Sequence, residues 1–107
     1  MENFTFNKSF SKQKQVTGLT IGGMLVLENS QLLKQEFVSI MNSLSRRLKI
    51  TLTNVEMIDL AFIQLLIAFI NYMDENHVTY AFEWNLDDDQ KTLLESVGLS
   101  NELFMTN

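Results

Sequence analysis

The chain of 107 residues has no cysteine, no proline and a single histidine, and it sets only eight basic side chains against thirteen acidic ones. Each shortage removes a class of chemistry. Without cysteine there are no disulfides, no thiolate nucleophile and no zinc-thiolate site, which agrees with a reducing compartment. The lone histidine, His77, falls in the turn after helix two and reads as a solvated loop residue, because a catalytic or metal role would need further partners gathered around it. A net charge of −5 and a pI near 4.7 argue against binding through nucleic-acid phosphates, where clustered Lys and Arg supply the affinity. Arg46-Arg47 is the only adjacent basic pair. No proline marks a linker. The first fifteen residues, MENFTFNKSFSKQKQ, lack the basic-then-apolar order of a secretion signal. The longest apolar run, Ala61 to Ile70 broken by Gln64, is half the roughly 20 residues that a bilayer span requires. The expectation is a cytoplasmic protein with no membrane insertion.

What remains is ordinary globular material: 46% hydrophobic and 20% charged residues, enough chain for one core, so residues 1–107 are expected to form a single domain. The organising stretch is ITLTNVEMIDLAFIQLLIAFINYMDEN, residues 50–76, a β-type run that turns into a long apolar helix at Met57-Ile58-Asp59. Around it, Phe4, Phe6 and Phe10 share one parity and predict an edge strand over residues 3–9. Val16 to Gly22 predicts a second strand, ended or bulged at Gly22-Gly23. Leu33, Phe37, Ile40, Met41, Leu44 and Leu48 recur at spacings of three and four, which predicts a helix from Ser30 to Leu48, capped by Ser30 or Asn29. Lys49 to Val55 follows as a short central strand. Asp59 is placed to cap helix two, which runs to Glu75 and ends at a left-handed Asn76. Val78 to Trp84 alternates as a last strand. Asp87 and Gln90 have the spacing of a capping box for a third helix, with Gly98 as terminator and Leu99, Leu103 and Phe104 folding back on the core. The sum is an α/β fold with a mixed sheet of about four strands and helices mainly on one face.

Three local patterns in that order resemble the STAS domain, the fold of bacterial anti-sigma-factor antagonists. Gly23-Met24-Leu25 stands where the family has Gly-Glu-Leu before its first helix. Leu52-Thr53-Asn54-Val55-Glu56-Met57-Ile58-Asp59 is similar to the family's Asp-Leu-Ser-x-Val-x-Phe-Ile-Asp. Leu94-Glu95-Ser96-Val97-Gly98-Leu99 is similar to its closing helix and Gly-Leu. The resemblance implies a bacterial signalling module that binds a protein such as an anti-sigma factor, a kinase-like partner or a sensory complex, and acts in transcription regulation. In the signalling branch the junction reads Asp-Ser-Ser-Gly and its second Ser is phosphorylated. Here Asp59, Leu60, Ala61 and Phe62 occupy those places, so Ala61 stands at the phosphorylation position and offers no acceptor.

Helix two carries an argument of its own. Phe62, Leu66, Phe69, Ile70 and Met73 share one broad face suited to the core, while Gln64, Asn71 and Glu75 lie opposite. Between them Ala61, Leu65, Ile67, Ala68 and Tyr72 add apolar surface beyond what sheet packing needs, the mark of a partner surface. The expected partner-binding residues are therefore Asp59, Leu60, Ala61, Gln64, Leu65, Ala68 and Tyr72. Asp87-Asp88-Asp89 reads as a helix start matched to the dipole and not as a cation site, since no further ligands follow at loop spacing. Gly22-Gly23 lacks the lysine and spacing of a phosphate loop. No catalytic constellation, cofactor or metal is expected. The alternatives are an accessory subunit of a lipid-transport ABC system, or a sensor of a small ligand or nucleotide using a cleft between Gly22 and Asp59. The Phe-rich first strand, as an open edge, also suits a homodimer.

Overall fold

The computed structural model describes residues 3–99, which form one four-stranded mixed sheet and three α-helices. Strand β1 (Phe4–Phe10) pairs antiparallel with β2 (Val16–Leu25). Helix α1 (Ser30–Ile40) leads to β3 (Leu44–Ile58), and α2 (Leu60–Glu75) leads to β4 (Thr79–Trp84). Helix α3 (Asp88–Ser96) closes the described chain. The sheet order is β1-β2-β3-β4, with β2, β3 and β4 parallel to one another.

Register explains the layering. Phe6, Ile21, Leu52 and Trp84 stand side by side across the sheet and are all buried, whereas the next row, Asn7, Thr20, Thr51 and Glu83, is half-buried or exposed. Alternate side chains of a strand face opposite sides, so one side of the sheet is apolar and the other keeps hydroxyls and the Lys49–Glu83 ion pair of 2.7 Å. Helices α1 and α2 cover the apolar side together. The Phe37 ring of α1 lies 4.8 Å from Phe69 and 6.4 Å from Phe62 of α2, and 5.1 Å from Phe6 of β1 in an edge-on contact. The predicted inner face of helix two is buried at all five positions, with Ile63 added to it.

Several element ends differ from expectation. Helix α1 stops at Ile40, a short 3-10 turn spans Met41–Ser43, and Leu44 and Leu48 belong to a 15-residue strand that replaces the predicted Lys49–Val55. A spacing of four satisfies both periods: Leu44 and Leu48 extend the helical stripe of α1, but they also share one strand face with Ile50 and Leu52. Asn29 occupies the position before α1 without capping it; its amide nitrogen donates to the Met24 carbonyl at 2.8 Å. The left-handed residue after α2 is His77, at φ 58°, and not Asn76, at φ −102°. The capping box of α3 forms as the spacing predicts, Gln90 N–H donating to Asp87 at 2.8 Å and Asp87 N–H to the Gln90 side chain at 3.2 Å. Gly98 has φ 88° and ends that helix, and Leu99 is buried. Leu103 and Phe104 lie outside the described residues.

The glycine pair sits inside β2, not at its end. Opposite it β3 carries an extra residue, Asn54, in the left-handed region at φ 53°, and the β2–β3 register shifts there. A Cβ on Gly22 would collide with the Thr53 carbonyl oxygen, and Gly23 takes φ 84°. The Gln90 side chain donates to the Val55 carbonyl at 3.2 Å, tying α3 to the bulged segment.

Candidate functional site

The junction between β3 and α2 is built on Asp59. Its Oδ1 accepts from the backbone N–H of Ala61 at 3.0 Å and of Phe62 at 3.4 Å, which caps α2. Its Oδ2 accepts from the N–H of Leu27 at 3.0 Å, in the turn that follows β2. The Asp59 N–H in turn donates to the Leu25 carbonyl at 3.1 Å. One carboxylate therefore joins the β2–α1 connection to the first turn of α2, at the helix end where the dipole favours negative charge.

Around this carboxylate the surface is apolar. Leu27 is 65% exposed and Leu60 56%; Met57, 53% exposed, stands next to the buried Ile58 and so faces the other side of β3. Beside them an open groove of about 450 Å³ runs between the first turns of α1 and α2, lined by Leu27, Ser30, Gln31, Lys34, Ala61, Gln64 and Leu65. Its walls are mostly apolar, with two amides, one hydroxyl and the Lys34 ammonium at the rim.

The sequence-derived residues divide into three groups. Ala61, Gln64 and Leu65 share the groove, and Asp59 and Leu60 sit at its head. Ala68 is exposed further along α2. Tyr72 is half-buried and its hydroxyl donates to the Met41 carbonyl at 2.9 Å, so it fastens α2 to the end of α1. Part of the surplus apolar flank of α2 is thus internal: Leu65 and Ile67 also pack against the core. Missing from the sequence reading are Leu27 and the α1 residues Ser30, Gln31 and Lys34. Leu27 meets Asp59 through its main-chain N–H, and such a contact leaves no side-chain signature.

Among the described residues no cluster of His, Cys, Asp or Glu is placed to hold a metal ion. No described helix is long and apolar enough to cross a membrane. Asp87, Asp88 and Asp89 are spent on the start of α3. Gly22 is buried against Thr53, and the space adjoining Asp59 opens toward Leu27 and Ala61. Compared with known proteins, the chain matches no protein-family model and no curated protein.

Proposed function

We propose that this protein is a protein-interaction module of STAS-like design that docks a partner on the groove between α1 and α2. The observation that supports it is the exposure of Leu27 and Leu60 at a junction that Asp59 ties together. Leu27 lines the groove and Leu60 begins the helix that forms its second wall. Leaving such side chains half in water forgoes part of the roughly 1.5 to 3 kcal/mol each that full burial contributes, so their exposure serves binding better than folding. Ala61, at the head of the groove, is small enough to let another backbone approach, and Lys34 and the amides of Gln31 and Gln64 give the rim its polarity. Ala61 has no hydroxyl to phosphorylate, so on this reading binding is either constitutive or regulated at another position. The regulatory role that the STAS resemblance implies, with an anti-sigma factor, kinase-like protein or sensory complex as partner, belongs to this proposal.

The test is quantitative binding to a partner isolated on the wild-type chain from its native host. Leu60→Asp and Ala61→Asp, each with an unchanged melting profile, are expected to weaken that complex at least about tenfold, the effect of losing one central contact. Equal affinity for both variants would overturn the groove as the docking site.

A further inference from the structure

Among the described residues β1 is an edge of the sheet, and its outer side is equipped to pair with a copy of itself. Met24 N–H donates to the Asn3 carbonyl at 2.9 Å, and an antiparallel ladder alternates bonded and outward-pointing residues. The main-chain groups of Thr5 and Asn7 thus serve β2, while those of Phe4, Phe6 and Lys8 point away from the sheet. Unpaired edges of this kind recruit other strands unless something blocks them. Proline is absent from the chain, and the one charge on β1, Lys8, is already engaged: its Nζ lies 3.1 Å from Glu36 and 5.9 Å from the centre of the Phe6 ring.

The sequence of the strand, FTFNKSF, is nearly symmetric about Asn7. A two-fold axis there sets Phe4 opposite Phe10 of a second copy, Thr5 opposite Ser9, Phe6 opposite Lys8, and Asn7 opposite itself. Aromatic meets aromatic, hydroxyl meets hydroxyl, and each Lys8 meets a ring of the kind it already approaches within its own chain. The outward main-chain groups of Phe6 and Lys8 fall in bonded register under the same axis. Two further features need this partner. Phe10 is 59% exposed at one end of the strand, and at the other end a groove of about 330 Å³ lies against α1, lined by Phe4, Leu32, Gln35 and Glu36. The axis carries Phe10 of one copy to Phe4 of the other, at the mouth of that groove.

We infer that the chain forms a symmetric dimer in which two β1 strands pair antiparallel about Asn7, joining both sheets into one, with each Phe10 seated between Phe4 and Leu32 of the other copy. This goes beyond the docking role and does not depend on it, since the groove between α1 and α2 is not used.

The chain's lack of cysteine makes the register directly testable. Asn7→Cys places two thiols opposite each other at a non-bonded antiparallel pair, where Cα atoms stand about 4.5 Å apart, within the span of a disulfide. Thr5→Cys alone sets its two thiols roughly 14 Å apart along the strands, out of reach. Light scattering on the full chain should give twice the 12.4 kDa mass, and mild oxidation should cross-link Asn7→Cys at least about tenfold faster than Thr5→Cys. The Thr5→Cys/Ser9→Cys double variant should regain cross-linking. Phe10→Asp, at an exposed position that leaves the core untouched, should weaken self-association about tenfold or more. A single-chain mass at all concentrations overturns the proposal, as does a dimer whose Asn7→Cys variant cross-links no faster than Thr5→Cys.

Discussion

Asp59 shows how much one side chain can carry. Its two oxygens serve three backbone donors that would otherwise face a helix end and a loop without partners. Replacing it with alanine removes the cap and strands the Leu27 N–H, so Asp59→Ala should lower stability by about 1 to 2 kcal/mol, measured by denaturant unfolding. Asp59→Asn keeps an acceptor oxygen and should cost less. This role was legible from sequence, because a carboxylate directly before an apolar helix is a common cap. The contact with Leu27 was not legible, because it runs through a main-chain group 32 residues away. Asn29 misled for the opposite reason. Its residue type suits a cap, but the Met24 carbonyl competes for the same side chain.

At the scale of elements, the hydrophobic period found the helices and strands and misjudged where one becomes the other. Leu44 and Leu48 continue the stripe of α1 and are also in phase with Ile50 and Leu52, so only the tertiary structure chooses between them. The groove was half legible. Ala61, Gln64 and Leu65 follow from the face of α2, whereas Ser30, Gln31 and Lys34 enter only once α1 is seen beside it. The bulge in β3 leaves no room opposite it in β2. With the Thr53 carbonyl oxygen in the place of any Cβ at position 22, Gly22→Ala must push β2 and β3 apart. The expected loss is about 2 to 3 kcal/mol, in the upper part of the range for overpacked sites, read as a lower denaturant midpoint. Gly18, where an added Cβ would meet only ordinary contacts near 3.6 Å, is the control and should change little beyond the strand preference of alanine.

For the whole molecule, a sheet covered on one side makes a single slab of core, and the β4 aromatics lie within it. Tyr80 packs against Phe82 with ring centres 5.7 Å apart, and burial, helped by the negative charge of Asp74, pushes its phenol above the ordinary value of 10.0. A tyrosine whose folded value is raised holds its proton more tightly in the folded state than in the unfolded chain. Its contribution is complete below about pH 10 and is lost as the pH climbs from there through the folded value. Stability measured against pH should therefore decline on the alkaline side, and Tyr80→Phe should flatten that decline. A slope identical in both proteins would assign the alkaline loss to other groups.

The double attachment of Asp59 also has a mechanical meaning. Because Leu27, Ala61 and Phe62 draw on one carboxylate, the turn after β2 and the first turn of α2 share a single latch, and neither can open alone without leaving a donor bare. The two walls at the head of the groove are thereby kept at a fixed separation. On the proposed docking role, a partner entering there meets a gauge of set width, and whatever spreads the loop also loads the helix.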